Sequence, residues 1–458
     1  MKTISKTILR ILLLVGLFGS RAVMAQSISF ETPVNIIGSG GSDLVACDDI
    51  NNDGLQDIVA INGYSLKVYL QTNNKSISLS LSSISYYISC PYPGPRSIDI
   101  GDLNNDGRND IVVGFSDSIA IFYQNSKGTL NAQINYATGG NDVDAVKCGD
   151  ANNDGFNDVA VSLWNSTIIS IFYGSSSGLL TKIDYPSVQQ GYDHLDICKI
   201  GTDTINSVFK MCGQGYGPLI QYKIKTNKTI DTTIYRTHPP GWNFNGFCIS
   251  DIYEKGNGKV FASYGGNNPA CAIWRNNLSA DADTSISIYQ CPGTMRSADL
   301  NGDGKDEVVV IHGGWNNLSI ISSDSTQNYF VWSPNNASVN SITTGDINND
   351  GLIDIITANT YRGLTVLINN TKHQNTGMSK YLNTKDNIKI YPNPFTDKIN
   401  IESVIGSSFV FIDINGKIIY EGYTKSQHEE INIDMPPGIY VLQITNGEKI
   451  SHQKIVRE

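Results

Sequence analysis

The residues best suited to chemistry are acidic and recur at fixed spacing. Asp49, Asn51, Asp53 and Asp57 stand at positions 1, 3, 5 and 9 of one short segment, with Gly54 at position 6 and Leu55 at position 7. A calcium ion takes about six to eight oxygen ligands at roughly 2.3–2.6 Å. Positions 1, 3 and 5 put three side chains on the inside of one turn, and glycine permits the left-handed backbone that bends the chain around an ion. The main-chain carbonyl of Leu55 then faces inward, and Asp57 closes the site from the start of the next strand. The same roles fall to Asp102, Asn104, Asp106, Arg108 (carbonyl) and Asp110, and to Asp150, Asn152, Asp154, Phe156 (carbonyl) and Asp158. They recur at Asp299, Asn301, Asp303, Lys305 (carbonyl) and Glu307, and at Asp346, Asn348, Asp350, Leu352 (carbonyl) and Asp354. No thiolate or imidazole joins these sets, which excludes zinc and copper. The same residues also favour metal-free Asp/Asn turns. Three carboxylates per loop repel one another without a cation, so the expectation is Ca2+, about five ions.

The spacing of the loops dictates the elements that hold them. Loop starts at 49, 102 and 150 lie 53 and 48 residues apart, and those at 299 and 346 lie 47 apart. The interval of 149 between 150 and 299 leaves room for two degenerate copies, near residues 199–207 and 251–259. Seven units of about fifty residues imply a repeat architecture with about four short strands per unit. In the first unit the strands read as residues 43–47, 58–61, 66–70 and 83–88, with the acidic loop joining the first two. Residues 28–36 read as a fourth strand with no partners before it, and the last unit stops after its third strand, near Asn370. Pairing those two ends closes a ring and covers the edges that an open array exposes. The expected fold is all-β: a seven-bladed β-propeller over residues 26–370, a linker at 371–387, and a small C-terminal β-sandwich at 388–458.

These repeats resemble the FG-GAP or VCBS family, the blades of integrin-α-type propellers, over about residues 28–370. The resemblance implies seven blades with calcium in the loops joining the first two strands of a blade. In the two degenerate copies Lys199 and Gly201 replace the first ligands, and Lys255 and Lys259 occupy later positions of the second. Lysine is expected to neutralise those loops, with no calcium bound there.

The turns joining second and third strands fall on the opposite face, and each carries an aromatic: Tyr64, Phe115, Trp164, Tyr216, Tyr264, Trp315 and Tyr361. Connections between units add Tyr92, Tyr192, His194, His238 and Trp242. Aromatic rings beside amides suit sugars, whose apolar faces stack while their hydroxyls take hydrogen bonds. One aromatic per repeat also serves as a wedge between blades. The divergent fourth and fifth units, at residues 213–217 and 238–246, are the expected place for a ligand.

Lys2, Lys6 and Arg10 precede a short apolar run at residues 11–18, and Val23-Met24-Ala25 offers a cleavage site. The run is well short of the roughly 20 residues a membrane span needs, so residues 1–25 read as a signal peptide and no transmembrane segment is expected in the mature chain. Losing Lys2, Lys6, Arg10 and Arg21 moves the formal charge from −10 to −14, which argues against nucleic acid or an anionic membrane as partner. Cys47 and Cys148 take equivalent positions in separate units, with Cys198 and Cys248 close to it, and read as buried thiols too far apart to bridge. Cys90, Cys212, Cys271 and Cys291 are free to pair in an oxidising compartment. No nucleophile elbow, zincin motif or phosphate loop is present, and the six histidines are scattered. No catalytic residue is assigned.

After a polar linker the composition changes again. Tyr391-Pro392-Asn393-Pro394, Asp413-Ile414-Asn415-Gly416-Lys417, Pro437-Gly438-Ile439-Tyr440-Val441-Leu442 and the tail Lys454-Ile455-Val456-Arg457-Glu458 resemble the type A C-terminal sorting domain of the Bacteroidetes type IX secretion system. The resemblance implies transit through the periplasm, recognition by that machinery, and release or attachment at the outer surface. The expected function is a secreted or cell-surface binding or adhesion module for a glycan or another extracellular macromolecule. The rivals are a polysaccharide lyase or hydrolase using the aromatic face, and a structural adhesin.

Overall fold

The computed structural model describes residues 28–371 and 389–457 apart from 37–42, 72–82, 141, 165, 177, 179, 191–192, 201–202, 204, 213–217, 236–243, 252–257, 265–269, 275–283, 290, 314–316, 323–324, 331–337, 361–362, 403–404, 414–416, 434 and 447–448. The expected signal peptide lies outside the described residues, as does the expected linker beyond its first residue, Thr371, which is buried and accepts the Ser29 N–H at 3.1 Å. The chain divides into two compact units, Met1–Lys372 and His373–Glu458.

Every regular element described is a β-strand. The first unit contains seven four-stranded antiparallel sheets. In the first, Leu44–Asp48, Asp57–Asn62, Ser65–Tyr69 and Ser83–Tyr87 follow one another in sequence and in space. These strands agree with the sequence reading to within a residue or two, because turn residues and β-branched runs alternate cleanly there. The second strands Asp110–Phe115, Asp158–Leu163, Glu307–His312 and Asp354–Asn359 are buried along their whole length. Burial on both faces explains their near-continuous Val and Ile content, since each sheet packs between two others. The fourth strands Ser83–Tyr87 and Ile134–Ala137 are largely exposed.

The first strands of the seven sheets are Leu44–Asp48, Pro95–Gly101, Val143–Gly149, Asp193–Cys198, Phe244–Ser250, Pro292–Ala298 and Val339–Gly345. Each lies beside the next, and the last lies beside the first, so they form a closed cycle. A cavity of about 780 Å³ runs along this inner wall and is lined by all seven. The cycle is covered at its seam by the N-terminal strand. Val34–Ile36 pairs antiparallel with the third strand of the last sheet, Val34 opposite Val366, and Phe30 bridges Asn369 further on. That pairing supplies the fourth strand that the C-terminal end of the array lacks.

Apolar clusters join neighbouring sheets rather than filling one centre. Val59, Leu66 and Val68 of the first sheet pack with Ile111, Val113 and Phe122 of the second, and Ile36, Ile58 and Tyr69 pack with Ile356 and Val366 of the last. Tyr264 belongs to such a cluster. Only 5% exposed, it packs with Phe247, Ala262 and Ala270, and Phe115 is only 2% exposed. At both positions the ring is a wedge between sheets and not a platform for a ligand.

All eight cysteines are free thiols, including Cys90, Cys212, Cys271 and Cys291. Burial pushes the thiols of Cys47, Cys148, Cys198, Cys248 and Cys271 well above the ordinary range, which makes them inert packing groups.

The second unit has a three-stranded sheet, Lys389–Tyr391, Lys398–Glu402 and His428–Asn432, and a four-stranded sheet in which Ile418–Tyr423, Ser408–Ile412, Gly438–Asn446 and Lys449–Arg457 lie side by side. One apolar cluster containing Ile399, Ile401, Phe409, Phe411, Ile431, Leu442 and Ile455 is shared between the two sheets. Phe395 enters the same cluster, its N–H held by the carbonyl of Val456 at 2.9 Å, so the Pro-Asn-Pro segment is tied to the final strand.

Candidate metal-binding loops and the opposite face

The five acidic loops share one conformation. Each connects a first strand to a second, and two residues adopt the left-handed backbone: Asn52 and Gly54 have φ of 60° and 84°, and Asn349 and Gly351 have 55° and 89°. The second of these was legible from glycine alone. The first is Asn in four loops and Gly302 in the loop that begins at Asp299, a recurrence that marks the same requirement, since asparagine tolerates left-handed backbone better than most residues.

The first acid organises each turn. Asp49 accepts the main-chain N–H groups of Asn51, Asp53 and Gly54 at 3.3, 3.2 and 2.8 Å. Asp102, Asp150 and Asp346 accept the equivalent pair from positions 5 and 6 at 2.8–3.1 Å. Asp299 does so at 3.2 and 2.9 Å and adds Gly302 N at 2.7 Å. Asn51, Asn104, Asn152, Asn301 and Asn348 each accept the position-5 N–H through Oδ1. Asp53, Asp106, Asp154, Asp303 and Asp350 accept the N–H of Leu55, Arg108, Phe156, Lys305 and Leu352 at 2.8–3.0 Å.

The ninth residue behaves differently. Asp57, Asp110, Asp158, Glu307 and Asp354 begin the second strands and are at most 2% exposed. Each accepts the N–H of loop position 2, as Asp57 does from Ile50 at 3.0 Å. The second carboxylate oxygen of Asp57, Asp110, Asp158 and Asp354 takes an N–H just beyond the third strand, from Gln71, Gln124, Gly174 and Asn369 at 2.7–2.9 Å. In the fourth intact loop Asn301 Nδ2 donates to Glu307 instead, at 2.7 Å. Burial pushes Asp57 up to about 6 and the other four to about 7, with the acids at positions 5 and 1 adding to the rise.

The three acids of a loop therefore divide by depth: position 1 is half-buried, position 5 exposed, and position 9 buried beneath them. Among the described residues no three Asp, Glu, His or Cys side chains form a ready-made metal cluster. Each loop carboxylate is engaged by main-chain N–H groups, and the acids at positions 1 and 5 still act on the buried acid at position 9. The donor set still fits a hard cation. It contains only oxygens, positions 1 and 5 bear on the buried acid electrostatically, and calcium accepts amide and carbonyl oxygens beside carboxylates. Arg108, at position 7 of its loop, pairs with Asp106 of the same loop.

The two degenerate loops lack the closing acid. Ser207 and Lys259 stand at the start of the second strands where the acid is found elsewhere. In the first of them Lys223, from the third strand Leu219–Ile224, meets Asp203 at 2.9 Å, and Gln221 Nε2 reaches Ser207 Oγ at 3.0 Å. The lysine paired with an acid of this loop is Lys223, on the third strand, while Lys199 is exposed. Gly201 and Lys255 lie outside the described residues.

Sequence reading missed the ties between loops. Asn109 Nδ2 donates to the carbonyl of Asp49 at 3.3 Å, Asn157 to that of Asp102 at 3.2 Å, and Asn206 to that of Asp150 at 3.0 Å. Each donor sits one residue before the second strand of its own sheet and reaches the first residue of the previous loop. The signal was present, because Asn stands at this position in units two, three and four.

On the opposite face Tyr64 and Trp164 are half-buried at their turns, and Tyr92 is 89% exposed. Tyr216, Trp242, Trp315 and Tyr361, with Tyr192 and His238, lie outside the described residues. His194 is not on the face; it lines the central cavity, where burial lowers its pKa to about 4.

Comparison with known proteins finds a family match in each of the two units. Residues 49–113, 102–161 and 299–357 match the FG-GAP-like repeat, and residues 389–458 match the secretion system C-terminal sorting domain. No curated protein matches. Among solved structures, BBS1N in complex with ARL6DN, from a mercury-soaked crystal, is 12% identical with a TM-score of 0.53, covering 76% of this chain and 98% of that one. PorZ, a surface component of the type IX secretion system of Porphyromonas gingivalis, is 14% identical with a TM-score of 0.44, covering 89% and 58%. An Agrocybe aegerita lectin recognising terminal N-acetylglucosamine is 13% identical with a TM-score of 0.46, covering 63% and 80%. Among the described residues no helix is long and apolar enough to cross a membrane. The chain carries FG-GAP-like repeats in its first unit and ends in a type IX sorting domain, which marks it for secretion and attachment at the cell surface.

Proposed function

We propose that the mature chain is a seven-bladed propeller that holds five calcium ions and binds an extracellular glycan or protein at the cell surface, without catalysis. The observation that carries the metal assignment is the common conformation of five oxygen-only loops, in each of which a buried acid has its pKa raised partly by the acids above it. Calcium would take oxygens from positions 1, 3 and 5, a main-chain carbonyl at position 7, and the closing acid, and would relieve that repulsion. The C-terminal unit is read as a β-sandwich because two antiparallel sheets share one apolar core.

The ligand reading rests on the face away from the loops. Tyr64 and Trp164 are half-buried there and Tyr92 is almost wholly exposed, a set suited to stacking on sugars. A glycan array probed with the full chain tests this reading, with Trp164→Ala as the comparison. Binding that Trp164→Ala weakens, with no release of unsaturated or reducing ends, supports it. Product formation would establish an enzyme, and an array with no signal would leave the structural adhesin.

A further inference from the structure

The inner wall carries charge in an uneven pattern. The residue two before the end of each first strand occupies the same register in all seven sheets: Ala46 lies opposite Val59, Lys147 opposite Ala160, and Arg296 opposite Val309. Around the cycle this position reads Ala46, Asp99, Lys147, Asp196, Cys248, Arg296 and Thr343. Lys147 stands between two acids, lies 3.6 Å from Asp99, and is held above the ordinary lysine range by Asp99 first and also by Asp196. Arg296 stands between a buried thiol and a threonine. It makes no ion pair among the described residues, and its Nη1 donates to the adjacent carbonyl of Met295 at 3.0 Å. A guanidinium carries five N–H donors in a planar fork that matches a carboxylate.

We propose that the central cavity is a binding site for a small hydroxylated monocarboxylate, such as a hexuronic acid, with Arg296 as the group that takes its carboxylate. The volume of about 780 Å³ falls within the roughly 300–1,000 Å³ of small-molecule sites. Thr294, Asn245, Asn340 and Ser341 line the same cavity and suit hydroxyl groups. His194 adds an uncharged imidazole, since burial and then the Arg296 charge keep it from protonating near neutral pH. The other acids on this wall are already engaged. Asp99 accepts the Cys148 N–H at 2.8 Å, Asp196 that of Ile197 at 3.0 Å, and Asp306 takes Ser297 Oγ at 2.5 Å and the Asp251 N–H at 3.2 Å. With Asp144 they make four carboxylates against Arg96, Lys147 and Arg296, of which Arg96 is paired with Asp142 at 3.0 Å and Lys147 with Asp99, so Arg296 is left to meet one carboxylate and a multiply charged anion is disfavoured. This site is independent of the aromatic face.

Titration calorimetry of the full chain with D-glucuronate, D-glucose and D-glucarate tests the assignment. D-glucuronate is expected to bind once per chain, and the neutral and dianionic sugars about tenfold or more weaker. Arg296→Gln is expected to weaken D-glucuronate about tenfold or more, since a charge-assisted pair is lost. In the unaltered chain, phenylglyoxal labelling of Arg296, read by peptide mass, is expected to slow with D-glucuronate and not with D-glucose; this readout does not depend on the variant folding. Equal affinity for D-glucose, unchanged labelling of Arg296, or undiminished binding by folded Arg296→Gln would each overturn the proposal. Glycan-array binding that survives any of those results would leave the aromatic-face reading standing.

Discussion

Within one acidic loop the same kind of side chain does two separable things. Asp154 is exposed at position 5, whereas Asp158 is buried at position 9 and satisfies the N–H groups of Ala151 and Gly174 at 3.0 and 2.9 Å. In calcium-saturated protein either Asp154→Ala or Asp158→Ala is expected to remove one bound ion. After chelation the two diverge. Asp158→Ala leaves two buried donors unpaired, at about 1–3 kcal/mol each, while Asp154→Ala costs little. Urea melts in chelator with metal counts on the same samples check this, and equal destabilisation by both variants would refute the division. The aromatics separate in the same way. Tyr264→Ala is expected to cost about 3–5 kcal/mol of stability with unchanged ligand affinity per folded molecule. Trp164→Ala, being half-buried at a turn, is expected to cost less stability and more binding.

At the scale of strands, the N-terminal segment completes the last sheet. Glu31 N donates to the carbonyl of Ile368 at 2.8 Å, Asn370 N to that of Ser29 at 2.9 Å, and Thr365 Oγ1 to Asn35 Oδ1 at 2.7 Å. Deleting residues 28–36 uncovers the edge strand Gly363–Leu367, which is buried throughout, and is expected to lower the melting temperature and promote association of chains. A monomer with an unchanged melt would show that the seam does not need the strand. This closure was legible in the sequence because the array began with a lone strand and ended one strand short. The loops were legible because a tight turn of this kind requires particular residue types at fixed spacing. The ties from Asn109, Asn157 and Asn206 were not read, since an asparagine beside a loop carries no mark of which neighbour it will reach. Tyr264 was misplaced for a related reason: a ring at the end of a strand looks alike whether it faces solvent or the next sheet. The central cavity has no local signature at all. Its wall is assembled from seven strands spread over about 300 residues, and only the shared register brings Lys147 and Arg296 onto one inner surface.

For the whole molecule, export and folding belong to separate units. Removing residues 389–458 is expected to leave the repeat array folded and calcium-bound but absent from the cell surface, because the sorting domain forms its own core around Phe411 and Leu442. Fractionation of cells expressing the truncated chain checks this, and normal surface display would contradict it. Calcium held in the loops would both rigidify the array and set its charge balance. Five divalent ions would offset most of the acidity of the mature chain, and an ion bound only by the folded loops adds about 2.7 kcal/mol per site at a hundredfold excess over its dissociation constant. The most direct test is elemental analysis of the purified chain with thermal melts before and after exhaustive chelation. The account predicts five calcium ions per chain and a large fall in melting temperature that added calcium restores. A chain that binds no calcium, with a melt unmoved by chelation, would contradict it.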